Sequence, residues 1–455
     1  MSFLDDKYLL TNSTAEVLYD TIRDLPIVDP HNHANIEEIV ENRPWADIWE
    51  VEGATDHYVW ELMRKRGVPE ERITGSATNK EKWLTLSKVM PELVGNPVYE
   101  WIHLDLKRVF GIDEVVSGHT GEKIWDKTLA LLKSPDMRPQ ELLKKMNVKI
   151  LSTTDDPQDT LSLHKRAQED VKGIRITPTW RPDKAMNIEK EGWREYIEKL
   201  GEGEGEDISN FKGFLTALEK SHNRFDLYGC VASDHGITRP ISFHVDREDA
   251  EKIYVKAIKG DRLEKEEVYK FKAFMLIRFG ELNTKTNWVM QLHIGALRDY
   301  RDSLYNSLGP DSGGDISTNA LDIAGNLRYF LNHFDGKLKV VLYVLDPTHL
   351  PTIATIARAF PNVSIGAAWW FNDTPFGMEM HLKYIATVDL LYNFAGMVTD
   401  SRKLLSYGSR TEMFRRVLSS VVGEWVERGQ LPLKQAINLV EWVSYRGPYT
   451  LFYER

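Results

Sequence analysis

"LPIVDPHNH", residues 25–33, is an apolar run that closes on a polar cluster. Leu, Ile and Val in near-continuous order suit a strand buried on both faces, as in a parallel sheet. Seven further runs share this pattern: "VKILSTTDDP" (148–157), "GIRITPTWRP" (173–182), "GCVASDHG" (229–236), "WVMQLHIG" (288–295), "KVVLYVLDP" (339–347), "VSIGAAWWF" (363–371) and "FAGMVTDSR" (394–402). Helical patterns fill the intervals, among them "TNALDIAGNLRYFLNHF" (318–334), "PTIATIARAF" (351–360) and "RTEMFRRVLSSVVGEWVERG" (410–429). The last reads as capped by Gly429, with Pro432 beyond it. Eight strands alternating with helices give the count of an α/β chain folded as a (β/α)8 barrel of TIM type. An open doubly wound sheet is the alternative, because strand order is not written in the sequence. In both architectures the ends of the parallel strands carry the chemistry.

Two intervals are too long for one crossover helix. Residues 34–147 read as a large helical insertion after strand 1, with patterns such as "KEKWLTLSKVM" (80–90). Residues 183–228 read as a smaller one after strand 3, and its "GEGEGED" (201–207) reads as a solvated, mobile loop. Residues 1–455 are then one barrel domain carrying both insertions.

The chain has 455 residues, 42% hydrophobic and 28% charged, enough for a large core. Its net charge of -10 argues against a nucleic-acid partner, which would need clustered Lys and Arg. One cysteine, Cys230, excludes an internal disulfide and a thiolate metal cluster, and reads as buried and inert. No run approaches a membrane span, and the acidic start "MSFLDDKYLL" is unlike a signal peptide. The expectation is a cytoplasmic protein without a membrane partner, self-associating as a homo-oligomer.

The strand ends supply the candidate site. Residues i and i+2 of a strand share a face, so His31 and His33 point one way, as does Asp29. Imidazole nitrogen is a good ligand for borderline divalent ions, and this pair could take two positions on one metal. Two rim histidines satisfied by hydrogen bonds are the bland alternative. A further ligand is needed, with His293 in "QLHIG" and Asp400 in "VTDSR" as the first candidates and Asp346, Asp234 and His235 behind them. Asp400 could instead cap the next helix, but Arg402 follows on the same face and suits an anion beside a metal. Arginines at strand ends, Arg181, Arg298 and Arg402, could grip a carboxylate through two parallel hydrogen bonds, or form surface ion pairs. Trp369 and Trp370 could wall a sugar or simply pack in the core. His235 and Asp234 read equally as proton-transfer or substrate-binding residues and as capping residues, and Asp155 and Asp156 as turn residues before Pro157.

A histidine pair on strand 1, a histidine on strand 5 and an aspartate on strand 8 resemble the amidohydrolase superfamily. Strand 4 ends without a lysine, and the nearest histidine to strand 6, His349, lies in the following loop, so a two-metal hydrolase is disfavoured. "VENRPWADIWEVEGATDHYVWELMRKRGV" (40–68), "TPTWRPD" (177–183), "QLHIGALRD" (291–299), "LGPDSGGD" (308–315), "WWFND" (369–373) and "MVTDSRKLLSYGSRTEMFRR" (397–416) together resemble the uronate isomerase, or glucuronate isomerase, family. That resemblance implies a barrel that interconverts D-glucuronate with D-fructuronate and D-galacturonate with D-tagaturonate. It places His57 and Tyr58 in the site as donors to the enediol oxygens, where the residues alone read as helix packing. It fits one divalent ion, zinc first and manganese, cobalt or iron after it, held by His31, His33 and Asp400. Asp400 would also move the proton, and His293 would be a fourth ligand or a donor to substrate. A one-metal hydrolase of the same superfamily is the alternative.

Overall fold

The computed structural model describes residues 3–454. Among these residues nine strands are interspersed with helices. They are β1 (Ile27–Asp29), β2 (Val148–Ser152), β3 (Arg175–Thr177), β4 (Ala232–Ile237), β5 (Val289–Ile294), β6 (Ala296–Leu297), β7 (Ile316–Ser317), β8 (Val340–Val344) and β9 (Val363–Ile365). β1, β2 and β3 form one parallel sheet, and β4, β5, β8 and β9 a second, in those orders. Their side chains are buried almost throughout, which is why these runs read as continuously apolar. β6 and β7 pair antiparallel and flank the short helix Asp302–Leu308 that follows β5.

The two sheets are joined through Trp180, whose N–H donates to Ala232 O (3.3 Å) and whose carbonyl accepts from Asp234 N (3.0 Å). On the far side, Ala395 N donates to Ile365 O of β9 (2.9 Å). The same segment meets β1 at its other end: Asp400 N donates to His31 O (3.3 Å) and His33 N to Ser401 O (3.1 Å). Seven of the eight anticipated runs therefore contain a regular strand. The eighth, 394–402, forms only an isolated bridge, Phe394 to Ile365, and departs from ladder geometry where Asp400 turns left-handed.

Helices fill 34–147, including His57–Lys65, Asn79–Val89 and Pro97–Arg108. "GEGEGED" is not a loop at its start: the helix Trp193–Glu204 runs through Gly201 and ends at the left-handed Gly205. Glycine is needed at 201 because a Cβ there would meet Ile208 at 2.5 Å. The expected helix at 318–334 begins only at Ile323, capped by the Asp322 side chain. The long C-terminal helix spans Ser406–Glu427, and Gly429 stands one residue past its cap. Among the described residues no helix is long and apolar enough to cross a membrane. Cys230 is buried, as its sequence setting suggests.

Candidate functional site

β1 ends at Asp29, so His31 and His33 lie just past the strand rather than on it. Asp29 turns away from them: its carboxylate accepts from His31 N, Thr399 N and Thr399 Oγ1 and ties this corner to the 394–401 segment. The histidines still converge. His31 Nε2 stands 3.0 Å and His33 Nε2 3.1 Å from Asp400 Oδ1. Two imidazole nitrogens and a carboxylate oxygen facing one point form a donor set for a borderline divalent ion. Asp400 has φ 45°, a conformation that few side chains adopt, and it turns the carboxylate inward. Its other oxygen accepts from Trp369 Nε1. Burial alone would raise the Asp400 carboxyl, but the two histidines outweigh it and hold it well below the ordinary range.

His293, on β5, lies one layer beneath. Its Nδ1 is 2.7 Å from Asp234 Oδ1, its ring stacks on Tyr343 at 4.1 Å, and its Nε2 is buried without a hydrogen-bond partner. Gly366 lets Tyr343 sit there, since a Cβ would meet that ring at 2.0 Å. His31, Asp234 and His293 also gather closely enough to share an ion, so His293 stays compatible with a ligand role. Asp234 is fully buried between His293 and Arg181 and does not reach the cavity wall. His235 caps no helix; its Nε2 bonds Ser233 Oγ inside β4. Asp156 does serve the turn, accepting from Gln158 N, whereas Asp155 accepts from Thr179 N on the neighbouring segment.

A cavity of about 900 Å³ opens over these strand ends. His33, Asp400, His57 and Tyr58 reach its wall, and so do Arg181, Arg298, Arg402 and Trp370. Trp369 does not, being spent on Asp400, so the tryptophan doublet divides its work. His57 and Tyr58 open the helix His57–Lys65, whose first turn is capped by Asp56. Their rings stack at 4.6 Å. Burial pushes His57 down to about 4, so it is a neutral imidazole near pH 7, and its Nε2 is buried without a partner. Arg181 pairs with Asp183 (2.9 Å) and Asp234 (3.1 Å). Arg298 lies 4.6 Å over Trp370 and 3.3 Å from Asp315, and Arg402 is 3.5 Å from Asp311. Sequence reasoning did not single out Asp183, Asp311 and Asp315. Their only signal was membership of the quoted motifs "TPTWRPD" and "LGPDSGGD".

A parallel-stranded α/β scaffold with a His–His–Asp cluster and four arginines around one cavity, Arg239 joining the three above, defines an enzyme-like site for a small anionic substrate. Comparison with known proteins narrows this. The family model described as glucuronate isomerase matches residues 1–452, and the chain belongs to that family. It is 66% identical over 451 residues to the uronate isomerase of Thermotoga petrophila, covering 99% of this chain and 100% of that one. The crystal structure of uronate isomerase from Thermotoga maritima superposes with a TM-score of 0.98, at 66% identity and complete coverage of both chains. Glucuronate isomerase from Caulobacter crescentus gives a TM-score of 0.95 at 27% identity, covering 99% of this chain and 96% of that one.

Proposed function

We propose that this isomerase interconverts D-glucuronate with D-fructuronate and D-galacturonate with D-tagaturonate by moving a proton between C2 and C1. The observation that carries the reading is the arrangement around Asp400: an ionised carboxylate on the wall of a cavity lined by four arginines. In the open-chain aldose, Asp400 takes the C2 proton and the C1 carbonyl becomes part of a cis-enediol. The same carboxyl then returns the proton to C1, while a proton passes from the C2 oxygen to the C1 oxygen. His57, neutral and with a bare Nε2, donates to an enediol oxygen, and Tyr58 beside it donates to the other. Arg181, Arg298 and Arg402 hold the substrate carboxylate, and Trp370 faces the carbon chain. Asp234 acts behind the wall, keeping His293 and Arg181 in place rather than touching substrate.

His31, His33 and Asp400 fit a single divalent ion by donor type and convergence, with His293 as fourth ligand or substrate donor, and zinc is our first assignment. When bound, that ion supplies positive charge for substrate oxygens. We read the strand ring, with 394–401 in the eighth place, as a (β/α)8 barrel of residues 1–455 with helical insertions at 34–147 and 183–228. We also propose a cytoplasmic homo-oligomer.

The test is a proton NMR time course of the metal-supplied enzyme with D-glucuronate, then D-galacturonate. Loss of the anomeric signals with growth of ketose signals is expected. Unchanged spectra with folded protein contradict the reading.

A further inference from the structure

The helix Ser406–Glu427 begins beyond the site, yet Arg410 on it is only 1% exposed. Burying a guanidinium costs several kcal/mol unless its surroundings repay it. Here hydrogen bonds offset only part of that cost. Nη1 donates to Asp373 Oδ2 (3.1 Å) and to Thr399 O (2.9 Å), while Nε and Nη2 make no regular hydrogen bond and the Tyr58 side chain stands in weak hydrogen-bonding reach. The Asp373 and Asp56 carboxylates add favourable charge, and two rings flank the plate: the guanidinium carbon lies 3.9 Å from the Trp101 ring centre and 5.1 Å from that of Tyr58. Trp101 in turn meets Tyr58 edge-on at 5.6 Å.

Each of these contacts reaches a different part of the site. Thr399 immediately precedes Asp400 and also bonds Asp29. Asp373 closes the short turn Trp370–Asn372, which presents Trp370 to the cavity. Tyr58 is on the cavity wall, at the start of a helix in the insertion. Trp101 belongs to another insertion helix, Pro97–Arg108. One planar cation therefore sets the distance between the inserted helix that carries Tyr58 and the strand end that carries Asp400. A hydrophobic side chain of the same volume could fill the space but could not hold Thr399 O and Asp373 together.

We infer that Arg410 is a positioning residue for the isomerisation, locking Tyr58, the Trp370 turn and the Asp400 strand end into one geometry. The inference rests on the proposed function. A displacement of about 1 Å between reacting groups can cost on the order of 100-fold in rate. Lysine at this position would keep the charge but lose the flat plate and the directional fork.

The experiment compares wild type, Arg410→Lys, Asp373→Asn, Tyr58→Phe and the double variant Tyr58→Phe/Arg410→Lys. Wild type is assayed first, and a wild type without uronate turnover overturns the functional reading itself and this inference with it. With an active wild type, Arg410→Lys is expected to lower kcat by about 10- to 100-fold while KM stays within about threefold. Metal content should match wild type. The double variant should lose less than the product of the two single losses, because part of what Arg410 does is exerted through Tyr58. Should Arg410→Lys fail to fold, Asp373→Asn decides on the same kcat and KM split. A lowered melting temperature with unchanged kcat, a change confined to KM, or fully additive losses would each overturn the inference and leave Arg410 as a core ion pair.

Discussion

His57 illustrates how much a side chain's meaning depends on its surroundings. In sequence it is one residue of an amphipathic helix, and nothing in "ATDHYVW" distinguishes it from packing. In the fold it opens its helix against the cavity, with one ring nitrogen bare. His57→Gln should lower kcat by about 100-fold, the order seen when one donor to a developing oxyanion is removed, with little change in fold. Ring signals of His57 in the NMR spectrum should titrate near pH 4 rather than near 6.5, because burial opposes the imidazolium. The ring would then stay neutral across the physiological range. His31, His33 and Asp400 were legible without the fold, since an HxH pair and a strand-end aspartate are local patterns. Asp234 was legible as a strand-end acid, but its place behind the wall was not, because only its contact with Arg181 decides it.

Between elements, the most consequential contact is one that no motif announced. Lys403 follows the Asp400 strand end and is buried between Glu52 (2.7 Å) and Asp105 (2.8 Å), on two different insertion helices. Burial pushes the Glu52 carboxyl up to about 8 even though Lys403 opposes it. Glu52 therefore ionises at a higher pH in the folded protein than in the unfolded chain, where its ordinary value is near 4.5. The folded state binds more protons over that window, so wild type loses stability as pH rises from about 4.5 towards 8. Glu52→Gln cannot ionise. Its unfolding free energy relative to wild type should therefore climb with pH, by up to about 1.4 kcal/mol per unit, in denaturant titrations across that range. A flat difference would show that Glu52 is ionised in the folded protein. The strands themselves were readable because double-sided burial leaves unbroken apolar runs. The eighth was misjudged as regular because the left-handed turn at Asp400 has no glycine to mark it. "GEGEGED" misled for the opposite reason: its glycines looked like loop, yet one is demanded by close packing inside a helix.

For the whole molecule, charge is distributed against the average. The chain carries a net -10, while four arginines face the cavity. An anionic sugar approaching an acidic protein needs that local field, and dissolved ions shorten its reach from about 30 Å at 0.01 M to about 3 Å at 1 M. kcat/KM for glucuronate should fall as sodium chloride is raised over this range, chiefly through KM, while the melting temperature changes little. Insensitivity to salt would mean that the arginines are neutralised by Asp183, Asp311 and Asp315 and do not steer substrate. Which arginine meets which carboxylate could not be read from sequence. It depends on loops from β3, β5 and the Asp400 strand end meeting above one cavity, and that proximity exists only once the strands assemble.

The most direct measurement follows the transferred hydrogen. Wild type and Asp400→Asn, both folded and metal-supplied, are incubated with D-glucuronate in deuterium oxide until wild type reaches equilibrium. With wild type, deuterium should accumulate at C2 of the aldose and C1 of the ketose and at no other carbon. Asp400→Asn should show neither wash-in nor ketose. Ketose formation or wash-in by Asp400→Asn at the wild-type rate would contradict proton transfer at Asp400.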